Sequence, residues 1–413
     1  MLGVEGGDSV QQGSSTARGR RVVLLAAGVS SLGDGMWTAA VPLAAAMIDR
    51  SPAAVATVSA AALLPWLVVA PIAGALVDRW PRRSTLVSSD AFRAVIIGLL
   101  VLALVADLVS IPVLAAASFL VVSGWIFHGA AQQALIADLT DDDPAGRDKV
   151  NGRMSSLEVG GASLIGPPLG SAAYSIAAWI PFLVDALSFA FSAVCMAVVP
   201  RESRRPAKVN ETVRAAVRAG ATFLLRHREL RTLALLTSAA NFTTNCALVV
   251  LVLYATDSDG LGLSAASYGL LIAALAVGGV LAGPLAPRLL KRLGDRALVI
   301  TALAVRSLVW PTVALTDRPV VVAIALAAAG FASICVTVTV TSARQRLSPR
   351  AMLGRVVTAF RTLGNGAAPL GAIAGGAIAS TVGLRPTFVI AGALLAGALL
   401  LSLPFLPRSS AAR

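Results

Sequence analysis

The feature that most constrains this 413-residue chain is a succession of apolar stretches, each long enough to cross a lipid bilayer. A helix needs roughly 20 consecutive, mainly apolar residues to do so. Twelve such runs read at roughly 21–48, 53–77, 85–106, 111–137, 154–177, 180–199, 232–255, 266–288, 297–315, 320–342, 356–380 and 386–406. The runs are unbroken and do not alternate, which excludes the pattern of a membrane β-barrel. With 57% hydrophobic and only 13% charged residues, the chain lacks the polar surface a soluble domain of this length needs. The expected fold is an all-α integral membrane protein of twelve transmembrane helices.

A formal charge of +13 would suggest a nucleic-acid partner in a soluble protein, but its distribution points elsewhere. Arg18, Arg20 and Arg21 precede the first run, and Arg79, Arg82 and Arg83 follow the second. Arg201, Arg204, Arg205, Lys208, Arg214, Arg218, Arg226, Arg228 and Arg231 crowd the central loop. Arg288, Lys291, Arg292 and Arg296, then Arg344, Arg346, Arg350 and Arg355, complete the even-numbered connections. The alternate connections hold only Arg50, Arg318 and Arg385, with Asp107, Asp257 and Asp259 among them. By the positive-inside rule both termini are cytoplasmic, and the basic surplus reports topology rather than nucleic-acid binding. Residues 1–19 read as a disordered tail, 20–199 as a six-helix bundle, 200–231 as an amphipathic cytoplasmic loop, 232–406 as a second bundle and 407–413 as a tail. Basic Arg18–Arg21 ahead of an apolar core is reminiscent of a signal peptide, but Asp34 interrupts any cleavage site and an uncleaved first helix is expected.

The two halves repeat one another. Gly74-Ala75-Leu76-Val77-Asp78-Arg79-Trp80-Pro81-Arg82-Arg83 and Gly283-Pro284-Leu285-Ala286-Pro287-Arg288-Leu289-Leu290-Lys291-Arg292 share a spacing of Gly, Leu, Arg and paired cations. Asn151-Gly152-Arg153 precedes Pro168-Leu169-Gly170 in run five, as Leu353-Gly354-Arg355 precedes Pro369-Leu370-Gly371 in run eleven. Each copy reads as a basic hairpin between membrane helices, and a hairpin duplicated in this way points to a transporter built from two related halves.

Ionisable groups inside hydrocarbon are costly and usually functional. Within the runs the candidates are Asp34, Asp90, Arg93, Glu158, Asp185, Arg306 and Arg361. Asp90 and Arg93, three apart on one helical face, read as a mutually neutralising structural pair. Asp185 fits an interfacial role as well as a functional one, and Arg306 has no local partner. His128 shares its helix with Gln132 and Gln133; a lone helical histidine is more often a packing residue than a working one. Cys195, Cys246 and Cys335 lie inside runs without paired spacing, so neither a disulfide nor a metal is implied. Asp141-Asp142-Asp143 before Pro144 reads as helix capping in a solvated loop.

The first copy of the repeated pattern resembles the signature between helices two and three of the major facilitator superfamily, with Pro81 where that pattern has glycine. Gly166-Pro167-Pro168-Leu169-Gly170-Ser171 resembles the helix-five element of its exporters. Gly33-Asp34-Gly35, Asp90-Ala91-Phe92-Arg93-Ala94 and Arg344-Gln345-Arg346-Leu347-Ser348-Pro349 are similar to the branch of macrolide and enterobactin exporters. The likeness runs from about residue 20 to 406.

That resemblance implies several roles. Gly74, Asp78, Arg79, Arg82 and Arg83 would form a gate latch, Asp78 meeting the start of helix eleven near Gly354. In the second copy Pro287 replaces the aspartate, leaving packing and topology roles. Gly161, Gly166, Pro167, Pro168 and Gly170 would make a tightly packed exporter helix that resists proton leakage. The superfamily's cavity, lined by helices one, four, seven and ten, would here offer Asp34, Trp37, His128, Gln132, Asn241, Asn245, Thr337, Thr339 and Thr341. Asp34, with Glu158, would carry the coupling proton; the arginine that many proton-coupled exporters hold in helix four is missing from residues 111–137.

The expected activity is therefore efflux of an amphipathic small molecule of the drug, macrolide or siderophore class, by proton antiport. The expected setting is a bacterial cytoplasmic membrane, with lipids as neighbours, no metal or other cofactor, and a monomeric carrier. Import of a small organic solute by the same fold, or a non-transporting sensor, are the alternatives. No protease, hydrolase, redox or nucleotide-loop motif is present, so enzymatic and ATP-driven readings lack support.

Overall fold

The computed structural model describes residues 5–77, 79–139, 144–199, 213–349 and 352–406, and these are helical throughout, with short connections. In chain order the helices are α1 (Glu5–Ile48), α2 (Pro52–Leu63), α3 (Pro65–Val68), α4 (Ala70–Val77), α5 (Arg82–Val105), α6 (Ile111–Leu139) and α7 (Pro144–Glu158). A π-helix (Val159–Ile165) joins α7 to α8 (Gly166–Ile176). Then follow α9 (Ile180–Val198), α10 (Val213–Arg226), α11 (Arg228–Thr256), α12 (Ala265–Ala314), α13 (Pro319–Leu347), α14 (Leu353–Val382) and α15 (Leu384–Ser402).

Local chemistry explains the boundaries. Ser51 caps α2, its hydroxyl accepting from the Ala54 amide, with Pro52 in the first turn where no amide hydrogen is needed. Ser264 caps α12 in the same way, and His227 caps α11 through its ring nitrogen. Gly383 at φ 92° turns the chain between α14 and α15, a conformation open to glycine at little cost.

Nine helices among the described residues are long and apolar enough to cross a membrane. One of them, α12, is 50 residues long and breaks at Gly294, where φ is 76° and ψ 166°; it holds the expected runs at 266–288 and 297–315. The expected run at 154–177 falls across α7, the π-helix and α8, and that at 356–380 within α14.

Two expectations are corrected. The second copy of the basic pattern is not a hairpin: Gly283 to Arg292 lie in continuous helix, and the chain turns only at Gly294. In the first copy, by contrast, helix ends at Val77 and resumes at Arg82. Pro167 and Pro168 lie at the start of α8 on a helical path that continues from the π-helix, whose wider turns leave room for their missing donors. The tail read as disordered is helical from Glu5 onward, because extending an existing helix needs no new nucleus.

Elements α1, α5, α6, α8 and α9 pack together, as do α11 to α15, and the two groups meet chiefly through α2 against α14 and α8 against α12. Glycines permit these contacts. Gly166 of α8 lies against Gly35 of α1, and Gly170 against the Met36 backbone. In the other group Gly371 and Gly375 of α14 lie against the Phe242 and Cys246 carbonyls of α11. Between groups, Gly269 of α12 lies against Pro167, and Gly376 of α14 against Ala56 and Pro52. A Cβ at any of these would collide with a neighbour.

The two ends of the molecule differ. At the end bearing Arg50 and Arg385, one buried core joins both groups, from Trp37 and Phe182 to Tyr254, Trp310 and Phe388. Arg50 there donates to the Thr256 carbonyl across the groups at 3.2 Å, and Arg385 pairs with Asp317. At the opposite, arginine-rich end each group has its own core, one around Leu86, Leu135 and Met196, the other around Leu236, Leu303 and Phe360. The groups are thus sealed together at one end and packed separately at the other.

Candidate functional site

Two features occupy the middle of the molecule: a charged cluster inside the first group and an uncharged cavity between the groups. The cluster begins with Asp90 and Arg93 on α5, one turn apart, which pair as the sequence spacing predicts. Both are buried, with side-chain exposures of 0% and 1%. Two further helices then converge on Asp90. His128 of α6 places Nδ1 2.8 Å from Asp90 Oδ1, and Ser192 of α9 donates to Asp90 Oδ2 at 2.6 Å. The Arg93 guanidinium lies 3.8 Å over the Phe189 ring of α9, and its Nη1 is 3.8 Å from Asp34 Oδ1 on α1.

Asp34 is the accessible member, its side chain 28% exposed. Asp185 on α9 is fully buried; its Oδ1 lies near the Ser188 hydroxyl at 3.5 Å, while its Oδ2 has no hydrogen-bond partner among the described residues. Gly33 of α1 lies directly against Asp185 and Ser188, and Gly124 of α6 against the Arg93 stem, so both glycines make room for the cluster. Glu158 is exposed at the α7–π junction, near enough for its charge to act on Asp34 and His128.

The cluster therefore holds three carboxylates, one guanidinium and one imidazole. An isolated buried charge is strongly disfavoured, so such a group tends towards electrical neutrality. With Arg93 charged, neutrality requires two bound protons shared among Asp34, Asp90, Asp185 and His128. The arrangement can hold protons inside an apolar bundle and pass one through Asp34.

The cavity has a volume of about 530 Å3. It is lined from α1 (Trp37, Thr38), α2 and α3 (Ser59, Trp66), the π-helix and α8 (Ser163, Pro167), α11 (Asn245) and α12 (Tyr268), with Val122 of α6. Trp37 is held edge-on by Phe182 at 5.5 Å, and Trp66 by Trp125 at 5.3 Å. Thr38 donates to the Asp34 carbonyl at 2.8 Å, so the cavity wall and the cluster share one turn of α1.

Of the residues expected around a cavity, Trp37 and Asn245 line this one. Asp34 and His128 belong to the cluster. Gln132 faces Met154 Sδ at 3.9 Å, and Asn241 donates to the Gly364 carbonyl at 2.9 Å. Thr339 is buried on the Cys335 carbonyl, Thr337 is exposed, Thr341 is half-buried, and none of the three lines the cavity. Sequence reasoning missed Ser192, Phe189, Trp66, Ser163 and Tyr268. Aromatics and serines in apolar runs have no pattern of their own; only the helix rotations bring them together.

Arg306 of α12 is buried in the second group, donating to the Ala240 carbonyl at 3.1 Å and Thr244 Oγ1 at 2.6 Å. Arg361 is exposed near the arginine-rich end, its charge acting on Arg344. Of the expected latch, Gly74 lies in α4, while Asp78 falls outside the described residues. Arg82 pairs with Asp138 of α6, Arg83 donates to the Ala197 carbonyl of α9, and Arg79 is exposed. Asp141, Asp142 and Asp143 also fall outside the described residues.

A family profile described as transmembrane secretion effector matches residues 17–412. No curated protein matches the chain's sequence. Among solved structures, the nucleoside transporter NupG, as a D323A mutant, superposes with a TM-score of 0.76 at 11% identity, covering 93% of this chain and 100% of that one. A bacterial homologue of the iron transporter ferroportin in an inward-facing state gives 0.74 at 17% identity, covering 95% and 99%. A bacterial homologue of the human lysosomal transporter Spinster, inward-facing and unoccupied, gives 0.70 at 14%, covering 94% and 96%. At these identities the likeness concerns the fold alone.

Proposed function

The chain belongs to the transmembrane secretion effector family of major-facilitator-type transporters, and from that premise we propose that it exports a small organic molecule by alternating access, driven by proton entry. The observation that carries the coupling is the Asp34–Arg93–Asp90–His128 cluster, which reaches neutrality only by holding protons and has one accessible carboxylate. A proton held on Asp34 releases Arg93 wholly to Asp90. Its loss draws Arg93 back towards α1, whose next turn forms the cavity wall at Trp37 and Thr38. Protonation and cavity shape are thereby linked through one helix.

In this reading the eight other apolar helices, the two passes of α12 and the segments α7–α8 and α14 make twelve crossings, with the arginine-rich end cytoplasmic. The present arrangement, joined at the Arg50 end and separately packed at the other, is then an inward-facing state. The setting is a bacterial cytoplasmic membrane, the carrier acts as a monomer surrounded by lipid, and the basic loops meet lipid phosphates. Asp78 acts as a latch in the opposite, outward-facing state, with Arg82 and Arg83 fixing its loop to α6 and α9.

The test is solute flux in proteoliposomes under an imposed pH gradient. Wild-type protein should move solute against the direction of proton flow, and Asp34→Asn should abolish that movement while leaving a folded, monodisperse protein. Co-directional movement would replace export by import; coupled flux that survives Asp34→Asn would remove the cluster from the mechanism.

A further inference from the structure

We infer that the cavity between the groups selects an uncharged, ring-bearing solute, and recognises neither the ammonium of a macrolide nor the ionised catecholates of a siderophore. The inference rests on the transporter reading above and narrows the substrate class of that same site. Its first support is the lining: none of the described residues around the cavity carries a charged side chain. Asp34, one turn from the cavity wall, is engaged with Arg93 at 3.8 Å on the cluster side of α1, and Glu158 is exposed at the α7–π junction outside the lining. A charged solute entering here would lose its water and gain no counter-charge, a loss of several kcal/mol.

The second support is the arrangement of rings. Trp37, Trp66 and Tyr268 reach the cavity from three different helices. Two of them are fixed by edge-on aromatic neighbours, Phe182 and Trp125, at 5.5 and 5.3 Å. Trp37 and Tyr268 are themselves buried and form part of the apolar wall, while half-buried Trp66 has the more open surface; rings held in place before binding give apolar contact without an ordering cost, which favours a ring-bearing ligand. The hydrogen-bonding groups are few and neutral. Asn245 Nδ2 is committed to the Asn241 carbonyl at 2.8 Å, leaving its oxygen free to accept from a ligand hydroxyl or amine hydrogen. Ser59 and Ser163 add two hydroxyls. The volume of about 530 Å3 lies within the range that encloses one drug-sized molecule, roughly 300–1,000 Å3, and is small for a sugar-bearing macrolide.

Binding to the purified protein in phosphatidylcholine nanodiscs tests this with no gradient imposed, so its outcome stands apart from that of coupled flux. Tryptophan emission is titrated with uncharged N-phenylnaphthylamine, with anilinonaphthalenesulfonate, which carries similar rings and one negative charge, and with cationic ethidium. Empty nanodiscs correct for partition into lipid. Saturable quenching by the uncharged probe is expected, half-saturating at least tenfold below both charged ones. Ala276→Trp should fill the cavity and weaken that binding tenfold or more. Asn245→Asp, nearly isosteric, should shift preference towards ethidium. Equal or tighter binding of either charged probe to the wild type overturns the inference. So does unchanged binding of the uncharged probe in a monodisperse Ala276→Trp protein.

Discussion

Each half of the molecule buries one arginine in its interior, and the two are neutralised in different ways. Arg93 of α5 meets Asp90, Asp34 and the Phe189 ring. Arg306 of α12 meets a backbone carbonyl and a threonine hydroxyl. Carboxylates can gain and lose protons; carbonyls and hydroxyls cannot in the accessible pH range. The same structural problem, a guanidinium in an apolar bundle, is therefore solved by titratable partners in the first half and by fixed dipoles in the second. The two halves thus differ in the chemistry that surrounds their buried arginine, titratable in one and not in the other.

The largest effect should come from breaking the titratable solution. Arg93→Leu leaves Asp90 and Asp185 buried without a fixed cation, and should lower stability by about 3–5 kcal/mol in thermal unfolding. Replacing both members, as Asp90→Leu with Arg93→Leu, should recover part of that loss, because Asp90 is then no longer orphaned while Asp185 still is. A double variant as unstable as Arg93→Leu alone would mean that packing, not charge, dominates there.

Next come the glycines that both halves share. Gly170→Ala presses a methyl against the Met36 backbone, and Gly371→Ala presses one against the Phe242 carbonyl. Each should cost about 1–3 kcal/mol, read as a lower melting temperature in detergent. Similar losses would show that packing has stayed alike in the two halves while electrostatics has not.

Arg306→Met is the sharpest control. It removes a buried cation without orphaning an acid, so a change of under about 1 kcal/mol, in either direction, is expected. A loss matching that of Arg93→Leu would end the contrast between the halves. The smallest effect belongs to Gly283, in the second copy of the basic pattern. Its Cβ position is open and helical, so Gly283→Ala should stabilise by about 0.5–1 kcal/mol, and a measurable loss would show a hidden close contact there.

Much of the architecture was legible in the chain. Unbroken apolar runs specify membrane helices because no other local structure satisfies the backbone in hydrocarbon. The arginines mark one end: Arg82, Arg228, Arg296 and Arg346 make their contacts there, while Arg50 and Arg385 make theirs at the other. The Asp90–Arg93 pair was legible because helical periodicity puts residues three apart on one face. The addition of His128, Ser192 and Asp34 was not, since it depends on how α1, α6 and α9 are rotated about α5. The same holds for the cavity. Helices one, four, seven and ten were expected to line it, yet α2, the π-helix, α8 and α12 contribute and α13 does not. The turn at Gly294, after the second basic copy, was hidden too, because the likeness to the first copy suggested a hairpin within the pattern, whereas the helix runs on through Pro284 and Pro287.

By itself, then, the sequence determined that this chain is a helical membrane transporter with duplicated halves and charge concentrated at one end, since hydrophobic length and charge placement act locally along the chain. Only the tertiary structure decided that the charged cluster and the cavity are separate places. The cluster and the cavity share a single turn of α1, and which face of that turn meets arginine and which meets open space is fixed by packing between helices far apart in sequence.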